Sequence, residues 1–269
     1  MSDTGWDDYC AIDAVNWSTL KHMCKSAKHY RHRLEHPIAD TARLILGRAI
    51  HTAVLEPDAF PLRYVVFDGS RRAGKMFDEF AEANEGRTIL KRDEYDTALA
   101  IRDAVRDHDA AASLLYGQSE VTVTWTDAGT GICCKGRVDH VNTDGVLVDL
   151  KTTASVDPFE FERTSAKMLY HAQLAFYARG LGLMDDITYS SAPRIIAVEA
   201  EPPHDVVVFR VTEDALIEGD RLVSELLHKV ATCRETGRWP GRFSAEQDLT
   251  LPPWMLTDDS TTDTWGGLA

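Results

Sequence analysis

The stretch from Gly136 to Thr153 constrains the fold more than any other, because its residues dictate a β-hairpin and set two acids on it. Ile132 to Val141 reads as one strand, Thr143-Asp144-Gly145 as a turn, and Val146 to Leu150 as the apolar return strand. A three-residue loop with Gly145 in the left-handed position pairs Asn142 with Val146. Counting back along both strands sets Asp139 opposite Asp149; directly paired residues share a face, with Cβ atoms about 4.5–5.5 Å apart. Lys151 projects from that face as well, while Val146, Val148 and Leu150 are expected to point the other way, into a core. Two opposed carboxylates are destabilising unless something compensates. A divalent cation does so, and Mg²⁺ usually takes one or two carboxylates with water and substrate phosphate. The Lys151 ammonium would then orient or help deprotonate the attacking water, or stabilise charge in the transition state. The plainer alternative is a surface hairpin with an ordinary Asp–Lys ion pair.

Around this hairpin the pattern predicts an α+β fold with a mixed central sheet, flanking helices and a helical N-terminal region. Glu120 to Trp125 alternates, with Val121, Val123 and Trp125 on one face, as in a half-buried strand. Further strands are predicted at Arg63 to Phe67, Arg194 to Glu199 and Val206 to Val211. Helices are predicted from an N-cap at Ser18 to about Arg33, from Thr41 to Leu55, and from Lys75 to Leu115 with a break near Gly86. Two more are predicted at Ser165 to Gly180 and Glu213 to Thr236. Residues 1–245 then form one unit, helical over 1–115 and carrying the site over 116–245. An acidic tail, 246–269, is expected to be partly mobile, with Trp254 a candidate for docking.

Two helical features bear on the site. His51 lies four residues after Gly47 on one helix face. A glycine inside a helix costs about 1 kcal/mol relative to alanine and usually marks a close approach. A helix packed there would deliver His51 as a nitrogen ligand, although helical histidines are more often ordinary core or surface groups. Tyr170, Gln173 and Tyr177, at i, i+3 and i+7, form a polar-aromatic stripe suited to a phosphate or its flanking nucleotides; the alternative is that both tyrosines edge the core.

The net charge of −14, from 29 Lys+Arg against 43 Asp+Glu, argues against a nucleic-acid coat protein. Distribution matters more than the sum. Lys21, Lys25, Lys28, Arg31 and Arg33 cluster near the start, and Arg71, Arg72 and Lys75 form a second group; either suits a phosphate backbone or merely a solvated helix face. No apolar run approaches the ~18 residues of a membrane span, no signal peptide is expected, and five cysteines without a CxxC pair suggest reduced, cytoplasmic thiols.

Taken together, Leu46-Gly47-Arg48-Ala49-Ile50-His51, Leu55-Glu56-Pro57, Arg71-Arg72-Ala73-Gly74-Lys75, Gly136-Arg137-Val138-Asp139, Asp149-Leu150-Lys151-Thr152-Thr153 and Tyr170-His171-Ala172-Gln173 resemble the RecE (exonuclease VIII) branch of phage and prophage exonucleases. That branch belongs to the PD-(D/E)xK superfamily with lambda exonuclease and the RecB nuclease domain, and implies a restriction-endonuclease-like core. The resemblance implies that His51, Asp139, Asp149 and the Leu150 carbonyl hold Mg²⁺ or Mn²⁺, with Glu120 a candidate for a second ion. It implies Lys151 as the catalytic lysine and Gln173 as a substrate-positioning group; DNA contacts are expected separately of Arg71, Arg72, Lys75, Arg137, Tyr170 and Tyr177. The activity implied is 5′→3′ digestion of linear duplex DNA to 5′-phosphate products, by a ring-shaped homo-oligomer in a bacterial host. The exposed 3′ strand would pass to a RecT-like single-strand annealing protein. No iron–sulfur cluster is expected, because the cysteine spacing does not match. The rivals are a RecB-like endonuclease or single-strand exonuclease in repair or CRISPR processing, and a DNA-end-binding module without catalysis.

Overall fold

The computed structural model describes residues 6–69, 71–184 and 190–255. Helices α1 (Trp6–Ala11), α2 (Trp17–Leu20), α3 (Ala27–Glu35), α4 (Ala42–Leu55) and α5 (Phe60–Arg63) lead to β1 (Tyr64–Val66). Next come α6 (Lys75–Ala83), β2 (Thr88–Leu90), α7 (Arg92–Asp107) and α8 (Asp109–Ala112). The second half runs β3 (Gly117–Thr126), β4 (Cys133–Asn142), β5 (Val146–Thr153), α9 (Pro158–Met168), α10 (Tyr170–Leu181), β6 (Ser190–Glu199), β7 (Val206–Arg210) and α11 (Glu213–Thr236). Strands β3 to β7 form one sheet in sequence order, antiparallel except where β5 runs parallel to β6. This is the expected α+β architecture with a mixed sheet.

Both faces of the sheet are covered, which explains why β5 is apolar on both sides. Val148 and Leu150 join Ile196 and Val198 under Ala49, Ile50 and Ala53 of α4 and Ala98 and Ile101 of α7. On the opposite face Leu147 and Ile195 join Val121, Val123 and Trp125 under Phe176 of α10, Leu226 of α11 and Trp17 of α2. Each fully buried aliphatic side chain stabilises the fold by about 1.5–3 kcal/mol. The N-terminal helices are therefore divided between the two faces of the sheet. Lys135 ties α1 down: its buried ammonium donates to the carbonyls of Tyr9 at 2.8 Å, Cys10 at 3.2 Å and Ile12 at 2.8 Å, at the C-terminal end of that helix.

Several boundaries differ from the sequence expectation, each for a local reason. The helix expected from Ser18 to Arg33 is broken in two. Asn16, rather than Ser18, caps α2; Lys21–Cys24 tightens into a 3-10 turn, and Ser26 restarts the helix by accepting the His29 N–H at 3.2 Å. The stretch from Lys75 to Leu115 contains β2, which pairs parallel with β1 after Gly86 takes φ +81°. The helix expected at Ser165 to Gly180 is α9 followed by α10. Asp157 and Pro158 start α9 early, and Leu169, at φ 61°, separates the two. Trp254 does not dock: it is 82% exposed. Residues 256–269 of the expected tail lie outside the described residues.

Candidate active site

The turn sets the register, and the register aligns the acids. Gly145 takes φ +74° and donates its N–H to the Asn142 carbonyl at 3.0 Å, while Asn142 Oδ1 accepts the Asp144 and Val146 N–H groups at 3.0 and 2.8 Å. Strands β4 and β5 then pair through Val141↔Leu147 and His140↔Val148, so the next step brings Asp139 beside Asp149. There the ladder opens. Asp139 Oδ2 accepts the Leu150 N–H at 2.9 Å, so a side chain takes over from the neighbouring strand's carbonyl. On the other flank Glu120 stands between the pairs Ser119↔His140 and Val121↔Val138, which places it next to Asp139. Glu120 holds φ 53°, an uncommon conformation for a residue with a side chain.

Asp149 is 1% exposed. Lys151 Nζ lies 2.5 Å from its Oδ2, but off the hydrogen-bonding direction, so among the described residues neither carboxylate oxygen has a well-aimed donor. Burial pushes the Asp149 carboxyl up to about 6; Lys151 pulls it down and Asp139 pushes it up further. Burial lowers the Lys151 pKa, but the charges of Asp149 and Asp139 outweigh it and leave the ammonium above its ordinary value. Lys151 also sits 5.0 Å from the centre of the Tyr170 ring. His51 reaches down from α4, its Nδ1 3.6 Å from Asp139 Oδ2. From α10, Gln173 Nε2 donates to the Tyr177 hydroxyl at 3.3 Å. Burial, reinforced by Asp139, holds the Tyr177 hydroxyl well above its ordinary value. The glycine of the Gly-Arg-x-Asp motif has its own reason: a Cβ on Gly136 would stand 2.8 Å from Tyr177 Cδ1.

The structure thus brings His51, Glu120, Asp139, Asp149, Leu150, Lys151, Tyr170, Gln173 and Tyr177 into one neighbourhood, and it gives the expected cations the following surroundings. Arg137, expected to contact DNA, is only 12% exposed at its side chain and donates from Nε to Glu120 at 2.6 Å. Burial, with Asp139 adding to it and Arg137 opposing, pushes the Glu120 carboxyl up to about 7. Arg72 pairs with Glu94 and Lys75 with Glu79, so the second basic cluster directs these two charges to its own neighbours, while Arg71 is exposed. Gly47 does not receive the packed helix expected there: among the described residues nothing comes within 4 Å of where its Cβ would be. Two cations that sequence reasoning did not assign to the site act on it. Lys21, lowered first by burial and then by Lys151 and Arg33, lies near enough for its charge to oppose that of Lys151. The Arg43 charge acts on Tyr170. Lys21 belongs to the first basic cluster; Arg43 carries no sequence signal beyond its place on α4.

The chain as a whole has counterparts. The model of the PDDEXK-like domain of unknown function DUF3799 matches residues 16–248. The chain belongs to this family. No curated protein matches it. Among solved structures, the "Putative exonuclease" from Eubacterium rectale is 14% identical and superposes with a TM-score of 0.64, covering 94% of this chain and 95% of the other. At that identity the likeness shows the shared fold. The structure of SSO0001, 10% identical with a TM-score of 0.29 over 78% of this chain and 84% of that one, bears no weight.

A divalent cation fits the residues at the hairpin. The buried Asp149 carboxylate, without a directed donor among the described residues, is the group such an ion would satisfy, and Asp139 lies near enough for its charge to act on it. Among the described residues no three His, Cys, Asp or Glu side chains form a ready-made metal cage. Two carboxylates supplemented by a backbone carbonyl and water are the oxygen donors that a hard divalent cation takes.

Proposed function

We propose that the chain is a metal-dependent nuclease that digests linear duplex DNA from its ends, 5′→3′, leaving 5′-phosphates and a 3′ single strand. The observation that carries the reading is Asp149: a fully buried carboxylate, raised by burial, touching Lys151 and set beside Asp139 by strand register. Membership of a PDDEXK-like family supports nuclease chemistry, and the exonuclease name of the E. rectale relative supports attack from ends.

Asp139, Asp149 and the Leu150 carbonyl would hold the cation, with His51 beside Asp139. When bound, the ion supplies Lewis-acid polarisation of the phosphodiester and lowers the pKa of a coordinated water. Lys151 keeps its proton, because two carboxylates raise its pKa, and so faces the reacting phosphate as a donor that stabilises developing negative charge. Tyr170 limits the lysine's movement from one side. Gln173, oriented by Tyr177, presents its remaining amide capacity to substrate. A homo-oligomeric ring, delivery of the product strand to a RecT-like annealing protein, and a place in recombination within a bacterial host belong to the same reading. Duplex labelled separately at its 5′ and 3′ ends tests it. Mononucleotides released first from the 5′ label are expected; internal fragments before any end product would favour an endonuclease.

A further inference from the structure

Gly47 occupies the interior of α4, where glycine is among the least favourable residues, yet no described residue uses the space it leaves. Gly136 and Gly180 differ: a Cβ at either would stand 2.8 Å from an aromatic side chain, of Tyr177 or Trp125. The place of Gly47 ties it to the site. Arg43, Gly47 and His51 follow one another at i, i+4 and i+8 along one row of the helix, and His51 at its end reaches Asp139 at 3.6 Å. Arg43 is exposed and, among the described residues, has no carboxylate within ion-pair distance, although its charge reaches Tyr170, the ring beside Lys151. Lys21 also lacks an acidic partner among the described residues, and its charge opposes that of Lys151. In a chain with a net charge of −14, unpaired cations adjoin the site and the start of this row.

Resting on the nuclease reading above, we infer that the sugar–phosphate backbone of the bound strand lies directly against Gly47, with Arg43 holding a phosphate about 6 Å along the helix from it. A side chain at 47 would lift the strand away from Asp139 and Asp149. The occupant is a polyanion rather than a second protein surface, because the row runs from an unpaired cation to the carboxylate site.

The test uses the full chain with Gly47→Ala and Gly47→Leu. Alanine removes the helix penalty, so the melting temperature rises by about 2–4 °C. Against that gain, KM for linear duplex rises about threefold for Gly47→Ala and at least about tenfold for Gly47→Leu, with kcat changing far less. Affinity for a fluorescent duplex in EDTA falls in the same order. A Gly47→Ala protein that melts higher but keeps wild-type KM and affinity overturns the inference. So does a Gly47→Leu protein that changes oligomeric state with DNA affinity intact, since a second copy would then cover the glycine. If Gly47→Leu fails to fold, the alanine variant decides alone. Wild-type protein that cleaves no DNA would instead refute the nuclease reading itself.

Discussion

Folding makes Asp149 and Glu120 harder to ionise than they are in the unfolded chain. Asp149 rises from 3.8 to about 6 and Glu120 from 4.5 to about 7, both chiefly through burial. A carboxyl raised by folding contributes stability that is fully present below its unfolded pKa and is lost as pH climbs through its folded pKa. The window here runs from about pH 4 to above pH 7. In EDTA the protein should therefore lose about 2–3 kcal/mol of stability between pH 5.5 and pH 8, read as a melting temperature lower by several degrees. Glu120→Gln should remove more than half of that slope, and millimolar Mg²⁺ should restore part of the loss at pH 8 by replacing the proton as the counter-charge. A melting temperature independent of pH in EDTA contradicts this. The alignment of Asp139 with Asp149 was legible because a turn residue fixes a register and a register fixes a face. The partner of Arg137 was not, because Glu120 lies on another strand at an unusual φ that no local pattern announces.

Helix α10 lies close to β4 because Gly136 leaves room for the Tyr177 ring, and Val123 Cγ2 would be 3.2 Å from an added Cβ. Gly136→Ala should destabilise the fold by about 1–3 kcal/mol through overpacking, measured by urea unfolding, and should reduce cleavage by displacing Tyr177 and its bond to Gln173. Unchanged stability would mean that α10 moves away freely. Elements with long uniform patterns were legible: α11 spans Glu213–Thr236, as its periodicity indicates, and Thr41 caps α4. What escaped was punctuation inside apolar stretches. Ser26 restarts a helix, Leu169 kinks between two helices without a glycine, and β2 is too short to show a period.

For the whole molecule, charge decides where a polyanion can settle. No helix among the described residues is long and apolar enough to cross a membrane. On the proposed reading, a chain with a net charge of −14 repels DNA on balance, and the strand settles where Lys21 and Arg43, without acidic partners among the described residues, bring their charges to Lys151 and Tyr170. Binding should thus involve few phosphates. Raising salt from 50 to 200 mM should weaken duplex affinity about 10- to 50-fold, matching about two or three neutralised phosphates, as read by fluorescence anisotropy; no salt dependence would mean that the contacts are not ionic. The most direct measurement compares wild type with Asp149→Ala on linear duplex DNA, in Mg²⁺ and in EDTA, with circular dichroism on both proteins. The wild type should degrade the duplex only with Mg²⁺, and the variant, with an unchanged spectrum, should be slower by at least about 100-fold. Wild-type cleavage by the folded variant, or cleavage in EDTA, would contradict a metal-dependent site built on Asp139, Asp149 and Lys151.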